Sequence, residues 1–333
     1  MSLGCLLSWT CRIAAADGDR CRGACGHATT YAVAEALFMQ RDNAATPQPL
    51  VIDSDTDTSV IDADGPRFDG GPGVRVFLGR QNPCSLGWEV GYTGIYGMFA
   101  REDALADGTL DITPPLSVVP GLRNASLADV EFASSLQMAE ASVLLTSHSV
   151  RLPRESMYPA ERCRREFTFD WLAGFRWAGF QDQASISLSE AAVTDTYRVR
   201  TTSNLFGGQL GLRGRIAWER WALEGWMKAA LAGAALSQSQ DPIVDAITGL
   251  DYRSARGARA DEVGGIFDLN ATLIRRINDT WGLRVGYNSL WLSGLALAPD
   301  QFDFSTADTA GTSIVTGKTA WLQGVSLGLE ARW

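Results

Sequence analysis

Trp321-Leu-Gln-Gly-Val-Ser-Leu-Gly-Leu-Glu-Ala-Arg-Trp333 is the stretch on which the fold turns. Trp321, Gln323, Val325, Leu327, Leu329, Ala331 and Trp333 fall on one face, and Leu322, Gly324, Ser326, Gly328, Glu330 and Arg332 on the other. That is the two-residue period of a β-strand, not the 3.6-residue period of a helix. One face is apolar and ends in tryptophan at both extremes. The other is small and charged.

The same alternation recurs upstream. Trp281, Leu283, Val285, Tyr287 and Trp291 oppose Gly282, Arg284, Gly286 and Asn288. Trp88, Val90 and Tyr92 oppose Glu89, Gly91 and Thr93, and Trp171, Phe175 and Trp177 oppose Asp170, Gly174 and Arg176. A soluble sandwich also alternates, with its charged face in water. Here the face opposite the aromatics mixes charge with glycine, which is a poor residue for an exposed strand interior. It suits a crowded polar interior, with the apolar face toward lipid and aromatics at the borders.

The pattern predicts strands over 29–39, 73–80, 86–100, 133–146, 167–184, 201–216, 220–234, 264–276, 280–295 and 320–333. The connections after odd strands are long (40–72, 101–132, 185–200, 235–263 and 296–319), and those after even strands are mostly short. The longer, arginine-rich 147–166 is the exception. Short turns on one side and long loops on the other are the signature of an outer-membrane barrel. The expectation is an all-β, antiparallel transmembrane β-barrel of about ten strands with both termini periplasmic. Counts of eight or twelve follow if the second strand is absent or if 147–166 hides a hairpin.

Composition fits this reading once it is broken down by face. The chain has 333 residues, 29 basic against 38 acidic, for a net charge of −9. Its mean hydropathy is −0.04. No run of ~18 apolar residues is present, which excludes a membrane-spanning helix but not a barrel. The acidic balance argues against a nucleic-acid partner. A secreted soluble β-protein stays as an alternative. Residues 1–28 form a separate N-terminal segment before the barrel at 29–333. That segment half resembles a signal peptide: Ala14-Ala15-Ala16 offers a cleavage site, but the apolar part is short and no basic region precedes it.

Several segments resemble the outer-membrane family catalogued as putative β-barrel porin-7. They are Tyr31–Met39 with Pro49-Leu50-Val51, Leu86–Tyr92, Trp171–Arg176, Ser203–Gly211, Gly286–Gln301 and the terminal strand. The last two are the most specific. The resemblance implies a location and a fold better than a function. It also implies that the aromatic-ended C-terminal strand is read by the barrel assembly machinery.

On this register Glu35, Glu89, Asp170, Arg176, Arg213, Arg215, Glu224, Lys228, Asp268, Arg284 and Glu330 face the lumen. Six acids against five bases in a narrow barrel are expected to form a salt-bridged plug, because buried charges must pair. A narrow channel for small solutes is the second reading. Trp88, Trp171, Trp177, Trp281, Tyr287, Trp291, Trp321 and Trp333 are expected to face lipid or its borders. Cys84 and Cys163 fall in the first two short-side turns and are candidates for a disulfide.

Asp53, Asp55 and Asp57 begin a calcium-loop pattern, but Thr58 stands where glycine is needed and Asp64 where glutamate is. The expectation is therefore an acidic solvated loop, with no metal and no cofactor. His27 and His148 are the only histidines, and both are expected at the short-turn end, away from an outer-rim site. This argues against an enzyme. The expected partners are outer-membrane lipid, the assembly machinery and an unidentified surface ligand.

Overall fold

The computed structural model describes residues 28–82, 86–152, 165–190, 193–244 and 249–333, with the side chains of 147–152 and 165–166 left aside. In chain order the strands are β1 (Thr29–Arg41), β2 (Pro49–Asp53), β3 (Thr58–Asp62), β4 (Gly71–Gln81), β5 (Leu86–Ile112), β6 (Ala125–Leu152) and β7 (Arg165–Glu190). There follow β8 (Val193–Trp218), β9 (Trp221–Gln240), β10 (Ile243–Val244), β11 (Asp251–Arg253), β12 (Arg256–Arg276), β13 (Trp281–Leu295) and β14 (Lys318–Arg332).

Ten of these close into a ring, β1-β4-β5-β6-β7-β8-β9-β12-β13-β14 and back to β1, antiparallel at every junction. Closure leaves no free sheet edge where all ten strands run together, so the backbone polar groups there are paired within the protein, as a lipid setting demands. The ring has ten strands, and the alternatives of eight and twelve fall. The second strand, β4, spans 11 residues. The β2–β3 hairpin hangs on the far end of β5 through Val51 opposite Ile112, and β10–β11 form a separate pair.

The seam between β1 and β14 runs from Tyr31 opposite Arg332 to Arg41 opposite Leu322. Glycine makes it possible. A Cβ on Gly324 would stand 1.9 Å from the Phe38 carbonyl oxygen, and one on Gly328 2.2 Å from that of Ala34. The start of β1 and the end of β14 lie at one end, called the termini end below, where the Thr30 N–H donates to the Trp333 carbonyl.

The outward face carries Val74, Val76, Trp88, Val143, Trp171, Phe175, Leu210, Leu223, Leu269, Leu283, Val285 and Leu327, all exposed. Trp281 and Trp291 mark its borders on β13. Ten residues at ~3.3 Å each make about 33 Å of strand, or about 24 Å of height at a 45° tilt, which matches the ~25 Å apolar band of such barrels.

The long connections differ from expectation. Residues 101–112 and 125–132 are not loop: they extend β5 and β6. Likewise 185–190 and 193–200 extend β7 and β8, 235–240 extends β9, and 256–263 belongs to β12. Above the lipid the outward face meets water and takes charge in place of apolar side chains, as in the Arg101–Asp129 pair at 2.7 Å. The apolar alternation fades there while the hydrogen-bonded ladder continues. β5 to β12 therefore form a tall wall, and β13, β14, β1 and β4 a low one. The 147–166 turn is also shorter than expected, since β6 reaches Leu152 and β7 begins at Arg165. His148 thus lies within β6, opposite Phe169 near the termini end, and not in a turn.

Candidate functional site

The interior is filled in two layers. The layer nearer the termini is ionic and comes entirely from alternate strand residues. Arg284 sits at its centre, 1% exposed, with Nε 2.8 Å from Glu35, Nη2 3.0 Å from Glu224 and Nη1 2.9 Å from Glu330. Arg215 binds Glu330 at 2.8 Å and Glu224 at 3.0 Å, and Arg332 reaches the same two acids at 3.3 Å. Arg75 donates to Glu35 at 2.8 Å.

Across the ring, Arg213 holds Glu89 at 2.6 Å, Asp170 at 3.2 Å and the Tyr31 hydroxyl at 2.9 Å. Lys228 bridges Glu89 and Glu140, while Arg176 joins Asp268 and Glu140. Phe77 and Trp226 pack edge to face beside Arg75 and Lys228.

Every lumen-facing charge named from the sequence lies in this web. The sequence reading omitted Arg75, Glu140 and Arg332. With them the layer holds seven acids and seven bases among the described residues, so it is neutral. Arg75 was legible, since it alternates with Val74 and Val76. Glu140 sits in a strand whose charged face has a single member, and no pattern marks it.

The outer layer is apolar. The tall wall contributes Phe132, Phe180, Ile186, Leu188 and Leu236, all buried. Against them pack Leu50, Ile61 and Phe68 from 42–70, Leu116 and Leu122 from 113–124, and Leu297 and Phe302 from 296–317. The segment 296–317, expected as an outer loop, folds into the barrel instead. Its backbone is satisfied by wall side chains. The Ala296 N–H donates to Ser203 (3.1 Å), its carbonyl accepts from Thr201 (2.8 Å), and the Ala298 N–H donates to Asp182 (2.9 Å). Gln238 and Gln240 donate to carbonyls further along.

Arg41 is anchored within the outer layer. Its guanidinium lies over Phe68 at 4.4 Å and Phe180 at 5.2 Å and pairs with Asp182 at 2.8 Å. Outside the membrane span, burial pushes the Asp303 carboxyl up, but hydrogen bonds from Ser305 and Gly311 outweigh this and hold it below the ordinary aspartate value.

The other candidates lie apart. Trp88, Trp171, Trp281, Tyr287, Trp291, Trp321 and Trp333 are exposed on the outward face, and Trp177 is half-buried there with its Nε1 3.4 Å from Asn204. Asp53, Asp55 and Asp57 form the tip of the β2–β3 hairpin, where the Asp53 carboxylate accepts the Asp55 N–H at 2.9 Å. Among the described residues no cluster of three or more metal-ligating side chains occurs. Cys84, Cys163 and His27 lie outside the described residues.

The family model for "Putative beta barrel porin-7" matches residues 31–333. The chain belongs to that family. As a member of this outer-membrane barrel family it resides in the bacterial outer membrane, and the secreted soluble alternative is set aside. No curated protein matches the chain. Three solved structures are similar. The outer membrane protease OmpT from Escherichia coli is 9% identical with a TM-score of 0.47, over 92% of this chain and 96% of that one. A major outer membrane protein from Thermus thermophilus is 14% identical with a TM-score of 0.34, over 92% and 100%. A Pseudomonas aeruginosa FadL homologue is 8% identical with a TM-score of 0.26, over 92% and 90%. Within this porin-7 member, the distinctive stretch Gly286–Gln301 is the outer half of β13 and the start of the inward-folded segment.

Proposed function

We propose that this outer-membrane barrel serves a structural or surface-interaction role with a closed lumen. The observation that carries the reading is the neutral ionic layer lying in series with an apolar one. A ten-stranded barrel is only slightly wider than one its own side chains fill. Here fourteen charged groups and three inward-folded connections occupy that space. The termini end faces the periplasm, and the tall wall with its acidic connections faces outward. Lipid surrounds the apolar band, and the strand ending at Trp333 engages the assembly machinery. No catalytic role belongs to this reading, since the charged groups of the ionic layer are committed to one another.

A narrow solute channel is the competing reading. The cavity inside the ionic layer, lined by Tyr31, Glu89, Arg213 and Lys228 among others, has about 10 Å³ of free volume, near the minimum for one water molecule. Purified barrel in planar bilayers at high salt tests the proposal. The expected result is no conductance steps. Steady steps from folded, heat-modifiable protein overturn it.

A further inference from the structure

The outer face of the tall wall carries a feature that the closed-lumen reading does not use. Above the apolar band, β8, β9 and β12 form an open concavity of about 620 Å³ bordered by Arg200, Thr202, Ser237, Ser239, Gly257 and Arg259. Register sets these side by side. Thr202 stands opposite Ser237 and Ser237 opposite Arg259, while Arg200 stands opposite Ser239 and Ser239 opposite Gly257. Gly257 supplies the floor by lacking a side chain.

The lining is rich in donors and holds no acid. Arg259 and the hydroxyls of Thr202, Ser237 and Ser239 make no side-chain hydrogen bond among the described residues. Arg200 is held in place by Gln183 at 3.1 Å and Asp241 at 2.7 Å. On this face Asp241 lies above the donors and Asp261 below them, so the acids bracket the concavity without entering it. A second polar hollow, with Ser135, Gln181 and Gln183, continues from it around the wall.

Height selects the ligand. The top apolar row here is Phe206, Gly233 and Val263. Thr202 and Arg259 lie four residues beyond it, and Arg200 six. At ~3.3 Å per residue and a 45° tilt, that is about 9 and 14 Å above the lipid tails. The polar zone of a simple phospholipid is only about 5–7 Å deep, so its phosphate lies below these donors. A sugar-bearing headgroup stands taller.

We infer that this concavity binds the phosphorylated saccharide headgroup of an outer-leaflet lipid, with Arg200 and Arg259 on phosphate and the hydroxyl residues on the sugar. Arginine favours phosphate because its planar fork donates two parallel bonds, and basic pockets beside the bilayer recognise anionic headgroups in this way.

Native mass spectrometry of the purified full-length barrel tests this with four probes. They are diphosphorylated lipid A, its dephosphorylated form, phosphatidylglycerol and inorganic phosphate. The expected result is retention of phosphorylated lipid A that falls at least tenfold in Arg200→Ala/Arg259→Ala and stays unchanged in Arg101→Ala. Heat-modifiable migration checks folding, and Arg259→Glu serves if the double variant fails to fold. Equal retention of lipid A by wild type and variant overturns the inference. So does equal retention of the dephosphorylated lipid, of phosphatidylglycerol or of inorganic phosphate. Such a failure leaves the closed-lumen reading intact, since conductance across a planar bilayer is measured without added lipid A.

Discussion

Replacing Arg284 by Met removes the centre of the ionic layer while keeping most of its volume. Three carboxylates then lose a partner at once: Glu35, Glu224 and Glu330. Breaking a buried pair by deleting one member costs ~3–5 kcal/mol, because the remaining charge stays desolvated. Here Glu35 keeps Arg75, and Glu224 and Glu330 keep Arg215 and Arg332. That partial compensation places the expected loss near the lower end, about 3 kcal/mol or roughly 100-fold in the folded-to-unfolded ratio. Urea titration of barrels refolded into vesicles, followed by tryptophan fluorescence and by heat-modifiable migration, reads the shift in midpoint. The internal standard is Arg101→Met, which breaks a surface pair whose arginine side chain is 58% exposed. Exposed pairs contribute under ~1 kcal/mol. Adding Glu330→Gln to Arg284→Met should recover part of the loss, since it removes one uncompensated charge. If Arg284→Met is as mild as Arg101→Met, water hydrates the layer freely and the interior is not closed there.

Three further outcomes follow from the packing. Gly324→Ala and Gly328→Ala should sharply lower the yield of folded barrel, while Gly208→Ala and Gly233→Ala, with open space around the new methyl, should not. Gel shift after refolding distinguishes them. Asp182→Ala leaves the fully buried Arg41 unpaired and removes the acceptor of the Ala298 N–H. Residues 296–317 should become cleavable by protease while the ring still migrates as folded. Asp303, whose carboxyl accepts the Ser305 and Gly311 N–H groups, has its folded-state pKa below the ordinary 3.8. Its contribution is therefore complete above pH ~4 and lost as pH falls through the lower folded value. Protease sensitivity of the same segment should rise only in that acid range, and Asp303→Asn should show it at neutral pH.

The ring was legible because two chemistries alternate on each strand where it crosses lipid. Trp281–Trp291 and Trp321–Trp333 display it with one polar break each, at Ser289 and Gln323, and all ten crossing strands follow from it. The tall wall was not legible. At 101–112 the outward face carries Arg101 and Asp103 and the inward face Glu102, so charge on both faces reads as loop although the ladder continues. The ionic layer was legible as a set of inward charges, but its neutrality was not, since Glu140 and Arg332 acquire partners only through closure. The apolar layer was hidden for a different reason. Leu295-Ala296-Leu297-Ala298 continues the apolar character of β13 past the membrane, and only the inward turn of 296–317 explains what buries it.

That arrangement puts two barriers in series, and they are separable. The apolar layer takes Leu297 and Phe302 from 296–317, and removal of that segment uncovers part of the tall wall's apolar lining. The ionic layer owes nothing to that segment, since its members all belong to β1, β4–β9 and β12–β14. Replacing 296–317 by a short Gly-Ser link should therefore give a barrel that still folds, binds an apolar dye in its outer half, and shows no conductance steps. The seven acids and seven bases remain paired below. A deletion barrel that conducts steadily would mean that the ionic layer admits hydrated ions, and the inward-folded segment would then be the gate of a channel.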